Sequence, residues 1–471
     1  MMERGNQMKK LLTDIRSYFM LLLGISIVWF IYQLIRFPIL PMKYLAVVIV
    51  LLLLIGALLT LSQYKAKGKK RIPGKICILL LSAILLLVNY TYFKTVDLFG
   101  NIVQSEDTDV ISVIVKDKSP YQYIEDLMGH TYAVLENSDD YVHQTIDAIK
   151  QENSENNLNL QSYSGIDQLV SALYNDEVDC IVMNESFRSI IEENYASFTE
   201  DTRVIYSKDY QTKIEEIKTG DVTTDTFSVY ISGIDTYGSI STKSRSDVNM
   251  IVTVNPTTKQ ILLTSIPRDY YIPFQVLNGD RDKLTHSGLY GVEETKNNVA
   301  AYFGIEIPYY VRVNFTSVID IVNAIGGIEV NNPTAFGNFA QGNIYLNGEE
   351  ALAFSRERYA FASGDRERGR NQMRVITGII NKVISPAIIK NYMSLLNSLH
   401  SSFQTNLTDD QMISLIRMQI DDMSGWHIES ISVDGTGDSL YSPIYGANLY
   451  MMVPDQSTVD TAKERIEALY K

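Results

Sequence analysis

Residues 244–269 read SRSDVNMIVTVNPTTKQILLTSIPRD, and this stretch decides the fold of the C-terminal half. Val248 to Asn255 and Gln260 to Ile266 are rich in apolar and β-branched residues and are separated at Asn255-Pro256, so they read as two strands. Phe227 to Ile234 precedes them as another strand, and Tyr309 to Asn314 follows. Helical segments come next, at Ser317 to Ala324, then, after a Gly326-Gly327 turn, at Gly348 to Phe354, Arg366 to Val383 and Ile388 to Ser402. Strands interleaved with helices predict an α/β fold, an α-β-α sandwich with a central mixed sheet. The charged groups fall at strand ends: Asp235 follows the first strand, Asp247 precedes the second, and Arg268 and Asp269 follow the third.

Arginine is unevenly spread through this region. Arg356, Arg358, Arg366, Arg368, Arg370 and Arg374 lie within nineteen residues, and Arg245, Arg268 and Arg281 lie near the strand ends. If Asp365 caps a helix, Arg366, Arg370 and Arg374 share one face, while Arg368 and Gln372 pair on an adjacent one. Such clustering predicts an anion site, because the guanidinium fork matches phosphate oxygens and stays charged at any working pH. The structural alternative is a set of surface ion pairs with Glu357, Asp365 and Glu367. Asp235 and Asp247 flank the loop GIDTYGSISTKSRSD, and hard oxygen ligands beside phosphate-binding arginines suit Mg²⁺, with Mn²⁺ as the alternative ion. The five histidines are scattered, with no zinc spacing. A Walker loop and a Gly-Xaa-Ser-Xaa-Gly elbow are both missing, which argues against an NTPase and an α/β-hydrolase. Ile319, Val322, Ile325, Val375, Ile379 and Ile380 are candidate linings for an apolar cavity, but each reads better as ordinary core.

Outward from this half, the charge changes sign. Residues 1–92 hold twelve Lys and Arg against two acids, whereas the remainder holds 29 basic and 53 acidic residues, so the net −14 averages two opposed ends. That balance excludes a nucleic-acid binder working through bulk positive charge, and two cysteines exclude a disulfide scaffold. The basic end carries three apolar runs, at 17–35, 44–61 and 76–92, each free of Lys, Arg, Asp and Glu in its interior and long enough to cross a ~30 Å hydrocarbon layer. The connection 64–75 holds six positive charges, so the positive-inside rule puts it and residues 1–16 in the cytoplasm, and three crossings put the acidic remainder outside. An exported portion without paired cysteines suits a Gram-positive surface protein.

Between anchor and C-terminal half, residues 107–215 alternate strand-like and helix-like segments and form a small α/β accessory domain, with the polar stretch 208–226 as linker or exposed hairpin and a second domain at 220–471. IEDLMGHTYAV followed by IDQLVSALYNDEVDCIV resembles one lobe of an extracytoplasmic solute-binding protein. With a single lobe there is no inter-lobe cleft, so the segment reads as an interaction or spacer module.

GIDTYG with SRSDVNMIVTVNP, LLTSIPRDYYIP, KLTHSGLYG, YYVRVNFTSVIDIVNAIGGIEV, LNGEEALAFSRERY and GDRERGRNQ resemble, in order, the motifs of the LytR-CpsA-Psr family. Three spans before an accessory domain resemble its capsule-biosynthesis members. The resemblance implies an enzyme that transfers a glycosyl phosphate, from capsular polysaccharide or wall teichoic acid, from a polyprenyl-pyrophosphate carrier to peptidoglycan. It implies that Asp235 and Asp247 hold Mg²⁺. Arg268 would contact the pyrophosphate at the reaction centre, and Arg356, Arg358, Arg368 and Gln372 would bind its head. Arg245, Asp269, Asp365, Arg366 and Arg370 would support these groups, while Lys283 and His286 are open between structural and supporting roles. Asp247 is either proton acceptor or metal ligand alone. The expected partners are the lipid-linked glycopolymer, peptidoglycan, the bilayer and other capsule-synthesis membrane proteins, with no nucleic acid. The competing readings are a polyprenyl-pyrophosphate phosphatase and a non-catalytic regulator or assembly protein.

Overall fold

The structure is a computed structural model and describes residues 15–36, 42–66, 68–99, 106–152, 158–217, 220–234, 236, 240–361, 364–385 and 403–471. They form two compact units, Met1–Ile102 with Asp409–Ser424, and Val103–Thr408 with Gly425–Lys471.

The first unit holds three long helices, α1 (Ile15–Arg36), α2 (Met42–Lys65) and α3 (Ile72–Phe99). Their apolar stretches, Ser17–Ile35, Lys43–Lys65 and Ile72–Phe93, run 19, 23 and 22 residues. At ~1.5 Å rise per residue each reaches across a hydrocarbon layer, and the chain is a multi-pass membrane protein. Leu23, Ile27, Ile78 and Leu85 are buried among these helices. Inside the bundle Asn89 Nδ2 donates to the Ser26 carbonyl at 3.2 Å, which satisfies a polar group that lipid would leave stranded.

The second unit contains two mixed sheets. The five-stranded one uses β1 (Glu106–Lys116), β2 (Thr131–Leu135), β3 (Asn159–Tyr163), β4 (Cys180–Asn184) and β5 (Thr202–Lys213) in the order β3-β2-β4-β1-β5. Helices α4 (Asp140–Glu152), α5 (Ile166–Tyr174) and α6 (Arg188–Asn194) connect them. β5 corrects the sequence reading: its second half, Lys208–Lys213, expected as linker or hairpin, pairs antiparallel with Glu106–Ile111 of β1. It is an edge strand, and edges tolerate the charged and polar residues that hid it.

The six-stranded sheet uses β6 (Phe227–Ile234), β7 (Ser246–Asn255), β8 (Gln260–Ile266), β11 (Tyr309–Val313), β14 (Gln404–Thr405) and β15 (His427–Ser432), ordered β14-β11-β6-β7-β8-β15. β7 pairs antiparallel with both neighbours, β11 runs parallel to β6 and antiparallel to β14, and β15 runs parallel to β8. Small two-stranded ribbons flank it: β9 (Tyr271–Pro273) with β10 (Arg281–Lys283), β12 (Ile328–Asn332) with β13 (Gly342–Leu346), and β16 (Gly435–Ser442) with β17 (Ala447–Pro454). The helices here are α7 (Val292–Phe303), α8 (Phe315–Ala324), α9 (Gly348–Arg356), α10 (Asp365–Val383) and α12 (Gln456–Leu469), with α11 (Asp409–Asp422) belonging to the first unit.

Strand alternation makes this sheet two-faced. Met250, Val252, Ile261 and Leu263 pack with Met373, Ile376 and Ile380 of α10. The intervening Ile251 and Leu262 join Val299, Phe303, Val459, Ala462 and Ile466 from α7 and α12. Helices therefore cover both faces, the α-β-α sandwich expected. Val322, Ile325 and Val375 are buried in a cluster with Ile379, as core residues should be. The expected helix at 388–402 lies outside the described residues.

The two sheets share one continuous core. Phe187, Ile190 and Ile191 are buried in the same cluster as Leu289, Val292 and Tyr445, and the Phe187 and Tyr290 rings meet edge-on at 5.8 Å. At the start of α5 a Cβ on Gly165 would lie 2.5 Å from Gly446 Cα. Only glycine admits that approach, and it lets Ile166 and Asp167 N–H groups reach the Ile444 and Tyr445 carbonyls at 3.2 and 2.9 Å. The five-stranded sheet is thus docked, in contrast to a loosely strung spacer.

Candidate active site

The ends of β7 and β8 converge because the two strands are antiparallel neighbours with Asn249 opposite Ile266. Asp247 at the head of β7 and Arg268 just past β8 consequently meet: Arg268 Nη1 donates to Asp247 Oδ1 at 2.8 Å. Thr285 Oγ1 donates to the same oxygen at 3.0 Å. Both bonds use Oδ1, and among the described residues none is made by Oδ2. Burial pushes the Asp247 carboxyl up, but the Arg268 and Arg245 charges and the two hydrogen bonds prevail and hold it below the usual carboxylate range. Asp247 is therefore an ionised carboxylate with one oxygen tied and the charge largely shielded from water.

Asp269 extends the pairing. Its Oδ1 lies 3.8 Å from Arg268 Nε and 3.5 Å from Lys283 Nζ. Thr285 is the group the sequence reading missed; it stands between Lys283 and His286 in the KLTHSG motif and is positioned by a single helical turn, Leu284–Ser287. That turn is anchored from behind. Fully buried His286 places Nδ1 2.8 Å from Asp282 Oδ1, and Asp282 Oδ2 accepts from Ser442 Oγ at 2.7 Å and the Ile444 amide at 3.1 Å. Burial raises the Asp282 carboxyl, but His286, Ser442 and the Lys283 amide lower it by more. His286 thus braces the turn through Asp282, and Lys283 faces Asp269. A Cβ at Gly288 would stand 2.5 Å from the Ser244 carbonyl and the Ser246 amide, so glycine is what lets the turn press against the head of β7.

A cleft of about 170 Å³ opens beside this pair. Asp247 and Arg268 line it from the sheet, and Arg366, Arg368, Arg370 and Gln372 line it from α10. Gly364, with φ 51°, holds the position before the first turn of α10, and Asp365 is the first helical residue instead of the cap. A positive φ suits glycine, and a glycine in that place offers the helix no side-chain cap. Asp235 and the Asp365 side chain lie outside the described residues. Arg366 donates from Nε to Asp434 Oδ1 at 3.0 Å and from Nη2 to the Gly435 carbonyl at 3.1 Å. Arg370 and Arg374 both pair with Glu367, at 2.6 and 2.7 Å, so for these two the ion-pair alternative holds. Arg374 borders an adjoining cleft.

Arg356 and Arg358 do not line the cleft. Arg356 lies over the Phe315 ring at 4.1 Å, and the Phe315 amide donates to the Thr236 carbonyl at 3.1 Å, next to Asp235 in sequence. Arg358 stacks on Tyr359 at 4.7 Å. Arg245 pairs with Glu193 of α6. Among the described residues no group of three or more His, Cys, Asp or Glu side chains converges.

An arginine-lined cleft at the strand ends of a mixed α/β sandwich is an arrangement for binding a phosphate-like anion. The LytR_cpsA_psr family model matches residues 192–468, and the chain belongs to the LytR-CpsA-Psr family. It is 40% identical over 195 residues to the polyisoprenyl-teichoic acid–peptidoglycan teichoic acid transferase TagU of Enterococcus faecalis, a match over 40% of this chain and 63% of that protein. This chain thus spans somewhat less than two thirds of that relative's length. It is 34% identical over 238 residues to TagU of Bacillus anthracis, covering 50% of this chain and 76% of the relative. Among solved structures, B. subtilis TagV superposes with TM-score 0.45 at 27% identity, over 52% of this chain and 98% of that one.

Proposed function

We propose that the protein is a membrane-anchored glycopolymer–peptidoglycan phosphotransferase. It moves a glycosyl phosphate from a polyprenyl-pyrophosphate carrier to the N-acetylmuramic acid of peptidoglycan. The observation that carries this reading is the ionised, shielded Asp247 joined to Arg268 at the mouth of an arginine-lined cleft. Family membership and the two TagU relatives, named as transferases of teichoic acid to peptidoglycan, support the reaction class.

In this reaction the 6-hydroxyl oxygen of the muramic acid attacks the phosphorus next to the first sugar of the polymer. The bond to the bridging oxygen breaks, and polyprenyl phosphate leaves with the electron pair. Such in-line transfer needs charge neutralisation and orientation more than covalent help. Arg268 neutralises the pyrophosphate oxygens at the reacting phosphorus, and Arg366, Arg368 and Gln372 orient the head from α10. Asp247, held ionised, accepts the hydroxyl proton or serves as an ion ligand through Oδ2. Mg²⁺ or Mn²⁺ fits the donor set, since such ions take one or two carboxylates and complete their shell with water and phosphate oxygens; Asp247 with Asp235 would hold it. When bound, it supplies further neutralisation of the pyrophosphate charge.

The polymer is capsular polysaccharide or wall teichoic acid. The three-span layout favours the former and the TagU relatives the latter. The basic 64–75 connection supports a cytoplasmic N-terminus with the two sheets outside. The test supplies full-length protein in liposomes with a polyprenyl-pyrophosphate glycan, Mg²⁺ and peptidoglycan. Glycan covalently joined to peptidoglycan with release of polyprenyl phosphate is the expected product. Free glycosyl phosphate alone would instead establish a phosphatase, and binding without turnover an assembly protein.

A further inference from the structure

The carboxylates and cations around Asp247 form a series of alternating sign that crosses from one sheet to the other. Glu193 on α6 pairs with Arg245; Arg245 acts electrostatically on Asp247; Asp247 pairs with Arg268 at 2.8 Å, Arg268 neighbours Asp269 at 3.8 Å, and Asp269 neighbours Lys283 at 3.5 Å. Five of the six groups come from the six-stranded sheet and its attached ribbon. Glu193 comes from the docked five-stranded domain and ends the series.

The loop that carries Arg245 is held by the same domain at several further points. Lys243 Nζ reaches Asp109 Oδ2 at 2.7 Å, and Asp109, itself buried, is fixed by Asn184 Nδ2 at 2.8 Å. The Thr108 amide donates to the Ser241 carbonyl at 3.0 Å. Arg312 of β11, 1% exposed, links the two: it joins Asp107 of β1 at 3.1 Å and also donates to the Thr242 carbonyl. A domain that served only as a spacer would have no reason to pin every second residue of the loop 241–245.

We infer that the five-stranded domain is a positioning element for the reaction centre, with Glu193 as its positioning residue: it draws Arg245 to one side so that Asp247 pairs with Arg268 alone. The physical reason is competition. Arg245 is shielded from water and sits near both Asp247 and Arg268. Without Glu193, the carboxylates whose charges act on Arg245 are Asp247, the stronger, and Glu192. Asp247 would then be shared between two guanidinium groups and lose the Oδ2 that the proposed chemistry uses. The inference rests on the transferase reading for its consequence, but on the contacts alone for its geometry.

The test uses full-length Glu193→Gln, Glu193→Asp and Arg245→Lys variants in liposomes. Glu193→Gln should lower kcat about tenfold, with KM for the lipid-linked donor within about twofold, as loss of a partner that orients a reacting group does. Glu193→Asp should restore most of the rate, and Glu193→Gln should add little to Arg245→Lys, because both act through one contact. In parallel, amide hydrogen exchange over residues 240–247 should quicken in Glu193→Gln without a change of Tm. Unchanged kcat and unchanged exchange, or a fall in Tm with kcat intact, would overturn the inference. If wild-type protein transfers nothing, the transferase reading fails, and the exchange result still decides whether Glu193 holds the loop.

Discussion

The arginines at the strand ends differ from those on α10 in how firmly they are held. Arg268 is locked against Asp247, with Asp269 beside it, and its side chain is only 20% exposed. Arg366 and Arg370 on α10 leave about half of their side chains in solvent, at 50% and 48%, and pair with Asp434 and Glu367. A rigid, shielded charge acts on whatever geometry the reacting atoms adopt, because it costs no reorganisation when charge shifts. An exposed one can reach out to grip a ligand but contributes less, being screened and mobile. In the proposed reaction this difference would give the chemistry to the sheet and capture to the helix.

The largest break in this comparison should come from Arg268→Ala. It removes the guanidinium that the proposed reaction sets at the phosphorus and leaves Asp247 without its main partner, and we expect turnover to fall by about 10²–10³-fold or more. Asp247→Asn should come next, at about a hundredfold in kcat, measured as release of polyprenyl phosphate. Arg366→Ala should raise KM for the lipid-linked donor by roughly three- to tenfold and leave kcat nearly intact, because its lost contacts are to Asp434 and the Gly435 carbonyl at the rim. Arg281→Ala, whose guanidinium donates to the Tyr271 carbonyl and does not line the cleft, should change turnover by less than about twofold.

A pH series sharpens the same contrast. The Asp247 carboxyl is held below its ordinary 3.8. The ionised form is favoured by folding, so its contribution to stability is complete above that value and is lost as pH falls through the lower folded one. The Tm gap between wild type and Asp247→Asn should stay constant from about pH 8 to about pH 5 and narrow only below about pH 4.

Much of this contrast was legible in the sequence, and what was not has physical reasons. Asp247, Arg268 and Asp269 could be placed because alternating apolar strands fix where each strand ends, and loops at strand ends carry chemistry. The three spans followed from apolar length alone. The second half of β5 escaped because an edge strand is free to carry Lys208, Asp209 and Lys213, which read as linker. Thr285 escaped because a lone hydroxyl carries no charge pattern, although its neighbours in KLTHSG did. The Glu193–Arg245 pair joins residues 52 apart across two sheets, and only the docking of α6 brings them together. Spacing groups Arg356 and Arg358 with the α10 arginines, yet Arg356 is the last residue of α9 and lies over Phe315, and Arg358, just past the helix end, stacks on Tyr359.

The central claim, that the strand-end pair performs the transfer while α10 captures the head, is tested most directly by single-turnover release of polyprenyl phosphate from saturating lipid-linked donor. Arg268→Ala and Arg366→Ala proteins would be compared in the same liposomes. The account predicts that Arg366→Ala releases at nearly the wild-type rate once donor is saturating, while Arg268→Ala is slower by about 10²-fold or more. Equal rates for wild type and Arg268→Ala, or the greater loss in Arg366→Ala, would contradict it.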